Sequence, residues 1–175
     1  MNDFEEKLKK RYQGEIAFNE ELAPYVTFRI GGRCKYLAFP STEKELLVLI
    51  SLAKNESLPY YIIGNGSNLL FGSKDFEGMV IYLSKNFNEV IQTQIDGDTL
   101  LKAAGGVTLW ELGEIAAANS LGGLEYISYI PGTLGGALIT NAEAHQVAIE
   151  SLIEEVVYFN GESIRTFSRE ECLFS

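Results

Sequence analysis

The chain has 175 residues, of which 46% are hydrophobic and 22% are charged, and its formal net charge is −10. This length and composition are typical of one globular region that buries a sizeable core. The negative charge makes nucleic acid and anionic membranes poor partners, and no apolar run approaches the ~20 residues of a membrane span.

The residue types argue against a metal site, a disulfide framework and a hydrolase. Cys34 and Cys172 are too few for a disulfide framework, and with the single His145 they do not form a metal-binding pattern. One histidine also argues against a Ser-His-Asp hydrolase. The first residues lack the charge pattern and apolar core of a signal peptide, so we expect a cytoplasmic protein.

The first half of the chain alternates predicted strands and helices. Apolar spacing predicts a helix over residues 2–12, whereas residues 13–29 show no clear periodicity. A strand is predicted at residues 35–39, followed by a helix that the capping-box pattern Thr42 to Glu45 introduces. Further strands are predicted at residues 60–63 and 78–83. Strands separated by such connections are expected to pair in parallel.

The second half changes to hairpin spacing. Residues 89–94 and 99–104 flank Asp96-Gly97-Asp98, which is a hairpin signal. A helix over residues 108–119 follows, then a second hairpin of residues 153–160 and 163–167, and a helix-like segment at residues 169–171. The change near residue 84 predicts an α+β fold with two subdomains, residues 1–84 and 85–175.

A glycine-rich loop directly after the strand at residues 60–63 is the first candidate site. Its residues are Gly64, Asn65, Gly66, Ser67 and Asn68. Such a turn allows a ligand to approach the backbone closely, and its N–H groups can hold a pyrophosphate without basic side chains. It is neither a Walker loop nor a Gly-x-Gly-x-x-Gly fingerprint, because Leu69 replaces the last glycine. A strand-to-loop turn without a ligand fits the same spacing.

Two further segments are rich in small residues. The candidates in the first are Ile130, Pro131, Gly132, Thr133, Gly135 and Gly136. Pro131 can start a helix whose amides meet an anion, although a tightly packed turn is the alternative. The other segment, residues 103–107, predicts close packing of a strand against a helix, with Trp110 in the core.

These segments, in this order, resemble the UDP-N-acetylmuramate dehydrogenases, also called UDP-N-acetylenolpyruvoylglucosamine reductases. Residues 27–32 resemble the opening motif of that family, and residues 64–70 resemble its phosphate loop. Residues 121–125, residues 130–137 and Asn141-Ala142 follow its most specific stretch, and residues 170–172 resemble the approach to a catalytic segment. The match extends from about residue 20 onward.

The resemblance implies an FAD-binding fold of the vanillyl-alcohol-oxidase or PCMH type, with FAD as cofactor and Asn141 near it. It also implies that NADPH reduces the flavin, which then reduces UDP-N-acetylglucosamine enolpyruvate in cell-wall precursor synthesis. The catalytic residues of the family would follow residue 175, so we expect none in this chain and no turnover by it alone. NADPH and the UDP-sugar are expected as partners only if a C-terminal substrate domain, which we expect to be absent, completes the chain.

One segment departs from the family pattern. Where the family has Asn-Ala-Gly-Ala-Tyr-Gly, this chain has Asn141-Ala142-Glu143-Ala144-His145-Gln146. A positive φ at Glu143 would strain the backbone, and its carboxylate would repel the flavin diphosphate. Three hypotheses follow: a flavin-binding part of a reductase, one chain of a split reductase, or a non-catalytic scaffold that has lost FAD.

Overall fold

The computed structural model describes residues 3–174, so Asn2 of the first predicted helix lies outside the described residues. Four α-helices are present in this range: α1 (Asp3–Arg11), α2 (Glu43–Asn55), α3 (Leu109–Ala118) and α4 (Leu134–Thr140). The strands are β1 (Glu15–Glu21), β2 (Arg33–Phe39), β3 (Tyr60–Ile63), β4 (Phe76–Tyr82), β5 (Val90–Ile95), β6 (Asp98–Ala103), β7 (Glu143–Ala144), β8 (Val147–Ala148), β9 (Glu155–Phe159) and β10 (Ile164–Ser168). Short 3₁₀ helices cover Ala23–Tyr25, Ile127–Tyr129 and Ile149–Leu152.

The chain forms two compact units. The first contains the residues up to Thr108 together with Gly132–Gly135, and the second contains Leu109–Pro131 and the residues from Gly136 onward. The boundary expected near residue 84 falls inside the first unit, and as a boundary between folding subdomains it stays a prediction. No helix within residues 3–174 is long and apolar enough to cross a membrane.

A four-stranded sheet in the order β1-β2-β4-β3 organises the first unit. β2, β4 and β3 run parallel, as predicted from their spacing, and β1 is added antiparallel to β2. β1 has no periodic signal in the sequence, because this edge strand is half exposed and carries four polar residues among its seven. β4 begins two residues before the predicted strand.

The core of this unit lies along the two central strands. Leu37, Ala38, Val80 and Ile81 are completely buried, which explains why β2 and β4 contain continuous apolar runs. Helix α2 contributes an apolar side, with Leu49 and other residues buried. The mixture of a parallel layer, an antiparallel strand and hairpins confirms the predicted α+β class.

The capping box that was predicted for α2 is present in a shifted form. Thr42 Oγ1 accepts a hydrogen bond from the Glu45 N–H at 3.2 Å. The Glu45 carboxylate accepts from the backbone N–H of Ser41 at 2.8 Å, one residue ahead of Thr42. Both bonds satisfy donors at the helix start, so the capping pattern located the beginning of α2 correctly.

Both predicted hairpins are confirmed. β5 pairs with β6, and the connecting residues Asp96 and Gly97 have φ of 51° and 95°, as a two-residue type I′ turn requires. β9 pairs with β10. The helix expected at residues 169–171 is wrong: this segment forms turns, because a run of so few residues cannot offset the cost of helix nucleation.

A third, two-residue hairpin was not expected. β7 pairs with β8, and His145 and Gln146 between them have φ of 52° and 66°. Glu143 lies in β7 and has no positive φ. The strain considered for Glu143 is therefore absent, and the backbone conformation that favours glycine occurs at His145 and Gln146 instead.

Candidate cofactor site

The glycine-rich loop begins where β3 ends. β3 is parallel to β4, so residues 64–68 lie at a carboxyl edge of the sheet, where ligands of α/β sheets commonly bind. Gly66 is buried and Asn68 is exposed, so the loop passes from the interior to the surface. The predicted loop therefore lies at the sheet edge, with Gly66 on its buried side and Asn68 on its exposed side.

Gly66 is fixed by both its conformation and its neighbours. Its φ is +68°, and a Cβ atom at this position would meet the carbonyl oxygen of Tyr25 and lie 2.8 Å from Val26 Cα. The N–H of Thr27 donates to the Gly66 carbonyl oxygen at 3.2 Å. The backbone of residues 25–27 thus supports the loop from behind, and only glycine fits at Gly66.

The second candidate segment meets the first within the same compact unit. A Cβ atom on Gly64 would collide with the side chain of Thr133, and a Cβ atom on Gly132 would lie 3.5 Å from Ser67 Oγ. Thr133 is 2% exposed. The two segments are therefore in close contact, and a side chain on Gly64 would push the Thr133 segment away from the loop.

Residues 105–108 hold this second segment in place. The Leu134 N–H donates to Val107 O at 2.8 Å, and the Gly135 N–H donates to Gly105 O at 2.9 Å. Thr108 and Thr133 also form an antiparallel bridge. The close packing predicted for residues 103–107 is confirmed, and its role is to position Gly132–Gly135.

Backbone amides are the donors that this site offers to an anion. Residues 64–68 and 130–136 contain no lysine or arginine. Among residues 3–174, the backbone N–H groups of residues 64–68 have no protein acceptor. Unpaired amides in a glycine-rich turn suit a phosphate group, which accepts several hydrogen bonds at once.

Residues 25–27, which lie behind the loop, are themselves uncharged. The Tyr25 hydroxyl donates to a Glu20 carboxylate oxygen at 3.3 Å, and its ring lies 5.3 Å from that of Tyr82 between centroids. Burial, and secondly the charge of Glu20, raise the pKa of Tyr25 above its usual value. The phenol therefore stays neutral and adds no repulsion toward a bound anion.

Four predicted site residues lie in the second unit: Ile130, Pro131, Gly136 and Asn141. Ile130 closes the 3₁₀ helix Ile127–Tyr129 by donating its N–H to Ile127 O at 3.0 Å, and Gly136 is in the first turn of α4. The Asn141 Nδ2 group donates to a Glu150 carboxylate oxygen at 3.1 Å. The role of all twelve predicted residues in binding FAD stays a prediction.

Trp110 is not in the core, which corrects the sequence-based expectation. Its side chain is 56% exposed, and its ring lies 6.3 Å from that of Tyr129 between centroids. Leu109, Leu112 and Ala116 form the buried face of α3, and Trp110 follows one position after Leu109. Helical periodicity turns it away from that face.

Two parts of the candidate site were missed by sequence reasoning. Residues 25–27 support Gly66, although only the resemblance of residues 27–32 to a family motif pointed to this region. Glu150 contacts Asn141 across nine positions that contain only the short strands β7 and β8 and the start of a 3₁₀ helix, for which a single sequence provides no periodic signal. Both contacts depend on tertiary structure.

Comparisons with known proteins connect this geometry to a family. The sequence profile of the family described as "FAD binding domain" matches residues 34–160. The UDP-N-acetylenolpyruvoylglucosamine reductase of Caldanaerobacter subterraneus subsp. tengcongensis is 35% identical over 93% of this chain and 53% of its own length. That of Clostridioides difficile is 40% identical over 81% of this chain and 45% of its own length. The chain thus spans about half the length of these curated relatives.

Solved structures show the same fold. The UDP-N-acetylenolpyruvylglucosamine reductase from Thermus caldophilus aligns with a TM-score of 0.66 and 29% identity over 91% of this chain and 53% of that chain. Alkyldihydroxyacetonephosphate synthase aligns with a TM-score of 0.72 and 19% identity over 95% of this chain and 35% of that chain, which is a likeness of fold alone. The FAD-binding fold that the resemblance implied is confirmed.

Proposed function

We propose, since the chain belongs to the FAD binding domain family, that it is the flavin-binding part of a UDP-N-acetylenolpyruvoylglucosamine reductase. Its cofactor is FAD. The relatives named above are about twice as long as the matched region, so the reaction of the complete enzyme is part of the proposal.

One observation carries the assignment of the cofactor site: the glycine loop at residues 64–68 and the segment Gly132–Gly135 meet where Gly64 opposes Thr133. The loop offers unpaired backbone N–H groups, and the absence of a side chain on Gly64 lets the second segment pack directly against it. These features fit a diphosphate, which needs several hydrogen-bond donors held in a fixed position. A chain of net charge −10 gains from binding phosphate through oriented amides rather than through a basic surface.

When bound, FAD would supply the hydride-transfer chemistry. The residues of this chain would hold the diphosphate, orient the flavin and exclude water around it. NADPH and UDP-N-acetylglucosamine enolpyruvate are the proposed substrates of the complete enzyme, and the cytoplasm is its proposed location. These assignments rest on the similarity to the reductases.

The experiment that tests the proposal is a titration of the purified chain with FAD, followed by quenching of flavin fluorescence and by the visible spectrum. We expect saturable binding of one FAD per chain. Riboflavin is the matched control, because it lacks the phosphates, and it should bind at least about tenfold more weakly. Absence of FAD uptake would contradict the proposal and favour the non-catalytic scaffold.

A second measurement addresses turnover. We expect the chain alone, with FAD bound, not to couple NADPH oxidation to reduction of the enolpyruvyl substrate. If a polypeptide that carries a substrate domain restores the activity, the chain acts as one part of a split reductase. Steady turnover by the chain alone would show that this expectation is wrong.

A further inference from the structure

A groove lies within the second compact unit, between helix α3 and the turn that follows it. Its volume is about 310 Å³, and every residue that lines it lies between positions 110 and 129. This volume is at the lower end of the range for small-molecule pockets. The α3 groove shares no residue with the glycine loop at 64–68 or with residues 130–136, so the candidate cofactor site does not account for it.

One wall of the α3 groove is a single side of the helix. Trp110, Gly113, Glu114 and Ala117 line it, and their spacing of three and four residues places them on the same side of a helix. Trp110 and Glu114 are four positions apart, which is the spacing of neighbours on a helix surface. The helix therefore presents an aromatic ring and a carboxylate next to each other along the groove.

The opposite wall comes from residues 121–129. A Cβ atom on Gly113 would collide with the Ser128 side chain, so α3 packs directly against the 3₁₀ helix Ile127–Tyr129. Tyr129 is 76% exposed, and its ring is inclined at 70° to the ring of Trp110. The two rings thus form a corner that opens to solvent. Half-buried leucines add apolar surface below it, namely Leu121 and Leu124.

The charge that lines the α3 groove is negative and is not balanced by neighbouring cations. Glu114 and Glu125 both line the groove and are exposed. The Glu125 carboxylate accepts a hydrogen bond from the Gly123 N–H at 2.8 Å, which holds it in its own turn. Neither glutamate forms an ion pair with any of residues 3–174. The sequence from 103 to 164 contains no lysine or arginine, so this part of the chain supplies no cation to the groove.

We propose that the α3 groove binds a small organic ammonium ion, which combines a positively charged nitrogen with a short apolar body. The faces of tryptophan and tyrosine rings attract such ions, and the two carboxylates complement their charge. The leucines offer a contact for the apolar body. A metal ion fits less well, because residues 3–174 contain no group of three acidic, histidine or cysteine side chains that could hold one.

Trp110 is the single tryptophan of the chain, so intrinsic tryptophan fluorescence reports on this groove alone. The experiment is a titration of the full chain with choline, followed by this fluorescence. The matched control is 3,3-dimethylbutan-1-ol, which has the shape of choline without its charge. We expect a saturable change with choline and at least about tenfold weaker binding of the alcohol. Added sodium chloride should weaken the binding of choline, because it screens the two carboxylates.

Three variants separate the groove from the general negative charge of the chain. Ala117→Leu fills the groove while all charges and both rings remain, and it should weaken choline binding at least about tenfold. Glu114→Gln removes one carboxylate from the groove and should weaken binding about threefold or more. The control is Glu154→Gln, at an exposed glutamate that does not line the groove, and it should leave choline binding unchanged.

The absence of a saturable fluorescence change up to about 50 mM choline would overturn the proposal, and so would equal affinity for the uncharged alcohol. Parent-like binding by Ala117→Leu would place the ion outside the groove. Equal losses in Glu114→Gln and Glu154→Gln would show a response to net charge, which also contradicts a site. Thermal unfolding shows whether the variants fold, and the comparison of choline with the alcohol needs only the parent chain. None of these results depends on FAD, so the proposed function is tested separately.

Discussion

Gly66→Ala is the substitution for which the structure predicts the clearest loss of both stability and FAD binding. The φ of +68° costs an L-residue about 1–2 kcal/mol. The added Cβ atom would also lie 2.8 Å from Val26 Cα and against the Tyr25 carbonyl oxygen. Both neighbours are backbone atoms, which cannot rotate away, so overpacking adds about 1–3 kcal/mol. The free energy of unfolding should fall by about 2–5 kcal/mol in total.

Substitutions at two other glycines separate the cost of a positive φ from the cost of the clash with the backbone. Gly97 has φ of +95°, but a Cβ atom added there would have no neighbouring atom within 4 Å, so Gly97→Ala should show only the conformational cost of about 1–2 kcal/mol. Gly72 has neither a positive φ nor a close neighbour, so Gly72→Ala should change stability by no more than about 0.5 kcal/mol. Urea unfolding at constant pH measures all three variants.

FAD titration of the same three variants tests the site. Displacement of the loop in Gly66→Ala should weaken FAD binding by more than about tenfold, while the Gly72 and Gly97 variants should stay within about twofold of the parent. If Gly66→Ala is no less stable than Gly97→Ala, the expected clash of the added Cβ atom with the backbone of Tyr25 and Val26 does not occur. If its FAD affinity equals that of the parent, residues 64–68 do not hold the cofactor.

Three further predictions concern single residues. Ser67→Ala should weaken FAD binding by about 1 kcal/mol or somewhat more, with little change in urea unfolding, because it removes one hydrogen bond to a charged group; equal affinity would exclude Ser67 from the site. Gln146→Gly should raise the free energy of unfolding by about 1 kcal/mol, since φ there is 66° and glycine adopts this conformation without strain; a loss of stability in urea would contradict this. Burial raises the pKa of Cys34 to about 11, so the folded chain holds the thiol proton more tightly than the unfolded chain. Stability should be retained below about pH 9 and fall as the pH rises from 9 to 11, by up to about 1.4 kcal/mol per pH unit, and more gently in Cys34→Ala.

Those parts of the fold with strong local signals were predictable. The buried runs of β2 and β4, the cap of α2 and the Asp96-Gly97 turn each combine a residue pattern with one dominant physical cause. β1 lacks such a signal, because an edge strand with two half-exposed faces needs no apolar alternation. β7 and β8 also lack a sequence signal, because each has only two residues. The turn between them consists of His145 and Gln146 instead of the glycine that such turns usually contain.

The candidate site was predictable as two separate segments but not as a contact between them. Local sequence explains why residues 64–68 form a glycine-rich turn after β3. It does not show that Thr133 faces Gly64 or that residues 25–27 exclude a side chain at Gly66, since both depend on chain segments distant in sequence. The resemblance to the family indicated that the two segments belong to one site, and the structure shows the steric contact between Gly64 and Thr133.

The last prediction concerns Glu143, where the resemblance implied a glycine near the cofactor. Glu143 is exposed and lies in β7 without a positive φ, so Glu143→Gly releases no backbone strain. Only repulsion between its carboxylate and the FAD diphosphate remains, and exposure to solvent screens it. Glu143→Gln, which keeps the strand but removes the charge, should therefore tighten FAD binding by at most about threefold at low salt.

Raising the salt should abolish this difference, because at about 0.5 M ionic strength the Debye length is only about 4 Å. Glu143→Gly should show the same change in FAD affinity as Glu143→Gln, together with about 0.5–1 kcal/mol lower stability, since glycine weakens a strand. Titrations at low and high salt measure both effects. A tightening of about fivefold or more that persists at high salt would mean that Glu143 obstructs the cofactor directly, and the scaffold hypothesis would then gain its strongest support.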